Sequence, residues 1–578
     1  MQRSFTSARP LAGLLAVAMV LTGLLATGPL PAAREADGSL LPVIVRRLPG
    51  SGVSAEQAVQ SLGGRVQHRL DIIGGFSALV PADKLVALRH SGGVGAVSPN
   101  GRVKLMSSVY DGADPASTMD KMTAVTHADT MWAAGYTGKG VGVALIDSGV
   151  APVNGLATAG KIVDGPDLSL ESQSPDLRSL DTFGHGTHMA GIIAGKDAAV
   201  TTVNATVAKT NFVGMAPDAK IISVKVADQA GATDISQILA AIDWVVQHRN
   251  DPGLNIKVLN LSFGTDGVQA YTIDPLAYAA EVAWRAGITV VVSAGNTGFG
   301  SAKLNNPAYD PFVIAVGSAD IKGTIDNDDD TASTFSSAGD RNRQPDFMAP
   351  GQAVASLRVP GSVLDTTYPA ARKGSRFFRG SGTSQAAAVI SGVAALMVQK
   401  FPSATPDQIK ELLDSGTDTS AANDTTQSGA GIIDMDEVLV QTLPSTADAA
   451  QGFTKSTGTG KLDLSRGSGR ITDGNSTLSG EKDIFGKSFS SSTWAAKAGK
   501  SAWSGGSWNG TTWSGSSFSG SNWSTNTWSG STWGGTSWTS GLSTRKWTTS
   551  GWSSGGWTTR KWLSGGWESN SWSSAGWN

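Results

Sequence analysis

Residues 141–150 read VGVALIDSGV. An unbroken apolar run ends in a carboxylate, and small turn-forming residues follow at once. A short apolar run bounded in this way is the pattern of a strand buried on both faces, as in a parallel sheet covered by helices on both sides. Comparable runs recur at 219–226 (AKIISVKV), 256–264 (IKVLNLSFG), 288–296 (ITVVVSAGN) and 312–320 (FVIAVGSAD). Between them lie amphipathic stretches such as 235–248 (ISQILAAIDWVVQH) and 275–287 (PLAYAAEVAWRAG). The alternation predicts an α/β domain with a mostly parallel central sheet and helices on both faces, over residues 111–442. Thr405-Pro406-Asp407-Gln408 marks the start of its last helix with a capping box and a proline in the first turn.

Working outward, the 578-residue chain changes texture several times. Residues 1–33 combine Arg3 and Arg9, an apolar run from Leu11 to Ala26 and a small-residue zone, the pattern of a secretory signal peptide. Residues 34–110 hold four short β-branched runs and two helical stretches, in the order of an α+β ferredoxin-like unit. A polar segment with turn formers follows, an exposed site for cleavage. Residues 443–488 read as a linker, and 489–578 as a Trp-rich repeat tail. A formal charge of −2 and a pI near 6.3 supply no basic field for nucleic acid. The chain has no Cys, so no disulfide staples it. No segment after the signal is apolar enough to span a bilayer, and a secreted or cell-wall-associated bacterial protein is expected.

Four elements can carry chemistry. Asp147 closes a strand at the end of an α/β sheet where functional groups collect, though a carboxylate there also serves as a cap. FGHGTHMAGIIAG places His185 and His188 on a Gly-rich turn that enters a helix. An imidazole there can take a proton from a hydroxyl and return it to a leaving group. Ser384 begins a long helical run in FRGSGTSQAAAVISG, where a backbone N–H is free to meet an oxyanion; the same position suits an ordinary N-cap. Asn296 ends ITVVVSAGN with an amide that can donate to the same oxyanion or shape a turn.

Asp, His and Ser in that chain order, each in a Gly-flanked motif, match the subtilisin order and not that of chymotrypsin or the α/β-hydrolases. The chain resembles the subtilisin-like serine peptidases, or subtilases, through ALIDSGV, GHGTHMAG, SAGN and GSGTSQAAA, between residues 144 and 388. The resemblance implies Ser384 as nucleophile, His185 as general base and then acid, and Asp147 as the group that orients His185. It implies an oxyanion hole from Asn296 and the Ser384 N–H, and a structural role for His188. Ser262-Phe263-Gly264 and Ser293-Ala294-Gly295 look like the two walls of the pocket for the residue before the scissile bond. Residues 41–105 look like a subtilase propeptide, implying an intramolecular chaperone and inhibitor removed by self-cleavage between Leu105 and Met122. Polypeptides would be the substrates, and catalysis would need no cofactor.

Two departures stand out. The family continues Met-Ala-x-Pro-His after the nucleophile, where this chain has Gln385-Ala386-Ala387-Ala388-Val389. Without an oxidisable Met beside Ser384, slow inactivation by peroxide is expected. Leu156 stands about where many subtilases carry a calcium-ligating Asp. Asp326-Asn327-Asp328-Asp329-Asp330 offers other oxygens without EF-hand spacing, so structural calcium has no clear motif and the run reads as a solvated acidic loop.

In the tail, aromatic residues recur every fifth position from Trp503 to Trp538 and again from Trp547 to Trp577. A period of five fits neither a strand nor a helix face. A β-solenoid with inward rings, a flexible Gly/Ser chain bearing sparse stickers, and outward rings stacking on cell-wall glycan all accommodate it. A function of a different class is a cell-surface or cell-wall binding protein, with the peptidase domain a dedicated maturation protease or a scaffold.

Overall fold

The computed structural model describes residues 40–48, 50–70, 75–99, 117–169, 171–172, 177–299, 303–340, 342–418, 425–471, 477–504, 506–512, 532–533 and 536–537. The expected signal peptide, most of the expected self-cleavage segment and most of the pentad tail lie outside the described residues.

The chain divides into two compact units, Met1–Val103 and Lys104–Asn578. The first contains β1 (Leu40–Arg47), α1 (Ser54–Ser61), β2 (Arg65–Leu70), β3 (Gly75–Pro81), α2 (Leu85–Arg89) and β4 (Val94–Pro99). Its strands form an antiparallel sheet in the order β2-β3-β1-β4, the split βαβ topology. Phe76, Ala78 and Val80 alternate along β3 and join Val43 and Val45 of β1 in burying one sheet face. Ala55 and Val59 of α1, spaced for one helical face, and Leu88 of α2 complete that core.

In the second unit, β5 (Gly142–Asp147), β6 (Ile162–Asp167), β7 (Lys220–Lys225), β8 (Ile256–Leu261), β9 (Thr289–Ser293), β10 (Ile314–Asp320) and β12 (Phe347–Pro350) form a parallel array in the order β12-β10-β9-β8-β5-β7-β6. The short β11 (Thr331–Ala332) pairs antiparallel with β10. Every residue of β5 and β9 is buried, as their apolar runs require. The chain leaves β5 toward β7 and β6, then crosses to β8 and builds outward the other way, which makes the carboxyl end of β5 a topological switch point. The helices that bear on the site are α3 (His185–Ala194), α4 (Ile235–His248), α5 (Pro275–Arg285) and α6 (Thr383–Lys400). The expected capping box is formed at the helix Pro406–Ser415: Gln408 N donates to Thr405 Oγ1 at 3.3 Å and Thr405 N to Gln408 Oε1 at 2.8 Å. Among the described residues no helix is long and apolar enough to cross a membrane.

The stretch 443–488 is not the free linker its composition indicated. Leu462, Ile471, Leu478 and Ile484 are buried in the main core. The Arg466 guanidinium, fully buried, meets Asp234 at the N-terminus of α4 through Nε–Oδ2 at 2.7 Å and Nη2–Oδ1 at 3.2 Å, and also donates to Gly480 O at 2.8 Å. Isolated apolar anchors in polar sequence have no period, yet each fills a site that the α/β unit leaves open. The packing continues into the tail. Trp494, Trp503 and Trp508 are buried, their indoles donating to Asp243 Oδ2, Ala240 O and Asp243 Oδ2 at 2.7, 2.7 and 2.9 Å. Trp503 and Trp508, the first two pentad rungs, face each other across a two-residue antiparallel pairing.

Candidate active site

Asp147 stands at the carboxyl end of β5, at the switch point. Its Oδ1 accepts from Ser148 N at 2.7 Å and lies 2.8 Å from His185 Nδ1, with Oδ2 at 2.9 Å from the same nitrogen. His185 is the first residue of α3. The glycines of both motifs are steric requirements of this approach: Gly149 has φ +101°, and a Cβ on Gly186 would come 2.1 Å from Gly149 O. Burial lowers the pKa of His185, and the Asp147 carboxylate acts in the opposite direction. His188, one turn on and fully buried, is driven further down by burial and by His185, so it is neutral.

Ser384 is the second residue of α6, where backbone N–H groups lack intrahelical acceptors and the helix dipole is positive. Its hydroxyl donates to Ser262 O at 3.1 Å. Ser262 Oγ in turn donates to Ser384 O at 3.2 Å and accepts from Asn260 Nδ2 at 2.7 Å, which fixes this wall against α6. Asn296 follows the end of β9. Its Oδ1 accepts from Thr383 N at 2.8 Å and Thr383 Oγ1 at 2.9 Å. That pair settles which end of the amide faces α6, and it leaves Nδ2 buried without a partner. A Cβ on Gly382 would lie 3.3 Å from Asn296 Nδ2 and 3.7 Å from Ser384 N, so the two donors converge on one spot. An amide N–H₂ and a helix-terminal N–H close to the same point can receive a negatively charged oxygen there.

Ser262 and Gly264 follow β8, Ser293 ends the adjacent strand β9, and Ala294 and Gly295 follow it, so the structure brings the two expected walls together. Phe263 is wholly buried.

Two residues that the motifs did not single out, Asp181 and Asn305, lie beside these groups. Asp181 is buried and accepts from Ser148 Oγ at 2.8 Å, Gly184 N at 2.6 Å and Thr187 N at 2.8 Å, tying the loop after Asp147 to the turn before His185. Burial raises its pKa to about 6 despite those donors. Its signal was its place four residues before His185, in DTFGH. Asn305 lies between the walls: a Cβ on Gly264 would meet its Cβ at 2.6 Å, and one on Gly295 would meet its Nδ2 at 2.9 Å. It is 6% exposed, and its Nδ2 has no partner. The amide of Gln385, beside Ser384, is likewise buried with neither end bonded. Leu156 is packed in the main core and offers no ligand to a cation.

A family model for the subtilase family matches residues 138–452. The chain belongs to the subtilase family. It is similar to serine protease AprX of Bacillus subtilis (strain 168), 37% identical over 333 residues that cover 56% of this chain and 72% of that protein. Subtilisin DY of Bacillus licheniformis is 32% identical over 311 residues, 54% of this chain and 94% of the relative. Among solved structures, a cold adapted subtilisin-like serine proteinase aligns at 28% identity and a TM-score of 0.39, covering 52% of this chain and 90% of that one. This subtilase is therefore a serine peptidase of subtilisin-like α/β fold acting on polypeptides. The extension beyond residue 452 and the unit before residue 104 lie outside the matched residues.

Proposed function

We propose that the protein is a secreted serine endopeptidase, made as a zymogen that removes its own N-terminal unit. Ser384 Oγ attacks the scissile carbonyl as its proton passes to His185 Nε2, and Asp147 stabilises the imidazolium through Nδ1. The carbonyl oxygen, now negative, takes hydrogen bonds from Asn296 Nδ2 and Ser384 N. His185 returns the proton to the leaving amine; water then attacks the acyl-enzyme by the same proton route and restores the serine. In the resting site the Ser384 hydroxyl points to Ser262 O, so the first movement is its rotation toward the imidazole. Active-site hydrogen bonds that form only with substrate are usual in free enzymes.

The observation that carries this reading is the orphaned Asn296 Nδ2, which lies near the same spot as the Ser384 N–H, taken together with the Asp147–His185 pair. A scaffold would gain nothing from a buried donor held without an acceptor. The first unit, with its own core and split βαβ topology, suits a detachable chaperone and inhibitor. Secretion rests on the charged and apolar pattern of residues 1–33. Labelling with a fluorophosphonate tests the mechanism: a stoichiometric adduct on Ser384, lost in His185→Ala, is expected. An unlabelled folded protein would leave the domain a scaffold. Self-processing is tested by Ser384→Ala, which should retain the N-terminal unit when expressed alone.

A further inference from the structure

The extension beyond residue 452, outside the residues that the family model matches, reaches the segment that joins the two expected substrate walls. Asn305 and Asn306 are that segment. Asn305 N donates to Ala294 O at 3.2 Å, which ties it to the wall after β9. Asn306 pairs with Thr265 in both directions, Thr265 N donating to Asn306 O at 2.9 Å and Asn306 N to Thr265 O at 2.8 Å, which ties it to the wall after β8. The place of the Asn305 side chain between the walls therefore depends on how Asn306 is held.

Two groups hold the Asn306 side chain, which is wholly buried. Its Nδ2 donates to Asp274 Oδ1 at 2.9 Å and to Ser465 Oγ at 3.3 Å. Asp274 is wholly buried as well, and the same Oδ1 accepts from Leu276 N at 2.8 Å as the cap of α5. Its Oδ2 accepts from Gln269 Nε2 at 2.9 Å. Lys461 of the extension clamps that Gln269, its N donating to Oε1 and its O accepting from Nε2, both at 2.7 Å.

Ser465 has the most links of these extension residues. Wholly buried, it donates its hydroxyl to Asp274 Oδ1 at 2.9 Å while its carbonyl accepts from Thr265 Oγ1 at 2.6 Å. One residue thus touches both members of the Asn306–Thr265 pairing. The chains lie close there, since a Cβ on Gly267 would come 3.1 Å from Ser465 O and 3.3 Å from Asn306 Nδ2. A buried carboxylate and a buried amide depend on every hydrogen bond they make, so loss of the Ser465 hydroxyl would loosen both at once.

We propose that Ser465 is a positioning residue for substrate selection: through Asp274 and Asn306 it fixes Asn305 between the walls. The extension, and not the α/β unit alone, then sets which side chain is accepted before the scissile bond. This inference rests on the peptidase mechanism proposed above and on the two expected walls. Ser465 meets none of the reacting groups, so its effect belongs to binding and falls on KM, with kcat kept.

The test uses the full chain, titrated with a fluorophosphonate so that rates refer to competent sites, and peptides that differ only in the residue before the scissile bond. Ser465→Ala, checked for folding by thermal unfolding, should still label stoichiometrically and shift kcat/KM from small toward aromatic residues by about threefold or more, the change lying in KM. Thr265→Val, which severs the link to the Ser465 carbonyl, should shift the preference the same way. In an Asn305→Gly background Ser465→Ala should add nothing, because the side chain it positions is gone. Unchanged preference in both folded variants would overturn the proposal. An equal shift with and without Asn305 would do so too, since Ser465 would then be a support of the fold alone. A native chain that takes up no fluorophosphonate would instead refute the peptidase mechanism itself, and with it any role for Ser465 in selecting substrate. Should Ser465→Ala fail to fold, Thr265→Val decides, alone and with Asn305→Gly.

Discussion

At the scale of single residues, the site is governed by what is buried without compensation. In the proposed mechanism His185 must be neutral to accept the Ser384 proton, and burial depresses its pKa, the Asp147 carboxylate notwithstanding. The acid limb of kcat/KM should therefore fall below the ordinary histidine value of 6.5. A limb at or above that value would show that the carboxylate outweighs burial. Asn305 makes a different demand. Its side chain occupies the space between the Gly264 and Gly295 walls and leaves an amide N–H₂ with nothing to bond. A substrate side chain there must be short or carry an acceptor. Asn305→Gly should open the pocket, raising kcat/KM for aromatic over small residues before the scissile bond by roughly 10-fold or more, within the range that pocket contacts command. An unchanged preference in a peptide-library profile would place the specificity elsewhere.

At the scale of elements, the expected substrate walls are supported from behind by chain that the composition marked as a linker. Thr265 Oγ1 donates to Ser465 O at 2.6 Å, and Ser465 Oγ donates to Asp274 Oδ1 at 2.9 Å, the residue that caps α5. The nearby Arg466 is buried against Asp234, which caps α4. Arg466→Ala would strand a buried carboxylate and should cost about 3–5 kcal/mol in unfolding free energy. Adding Asp234→Asn should recover part of that loss, a coupling that denaturant titration of the blocked enzyme can read; strict additivity would mean that the pair is not interacting. The contrast with the proposed catalytic residues shows what could be read in advance. Asp147, His185, Ser384 and Asn296 each sit where a strand ends or a helix begins, so local sequence announces them. Asp181, Asn305 and Arg466 acquire their roles from partners brought near only by folding, and their flanking sequence carries no period or cap that points to those partners.

At the scale of the whole molecule, the α/β architecture was visible in the alternation of buried strands and amphipathic helices, whereas the course of the extension was not, because three tryptophans in a polar stretch match no regular face. The first two pentad rungs fold inward: Trp503 and Trp508 close over α4, with Phe489 stacked on Trp508 at a centroid distance of 5.7 Å. Asp243 is the hub of this closure, accepting the indole N–H groups of Trp494 and Trp508 and the Gly499 N–H at 2.8 Å. Burial nevertheless raises its pKa to about 6 from 3.8. The docked state therefore holds the proton more tightly than an undocked one. The stabilisation from the protonated form is complete below about pH 4, is lost as the pH rises toward 6, and changes no further above that. Docking of 489–512, followed in the Ser384-blocked chain by limited proteolysis with an added protease, should loosen between pH 4 and 6 and then level off. Asp243→Asn, which keeps an acceptor oxygen but cannot ionise, should flatten the profile at the protected end. Tightening with rising pH in the native chain would instead mean that the indole hydrogen bonds to the ionised carboxylate outweigh its burial, and that the extension is clasped by charge.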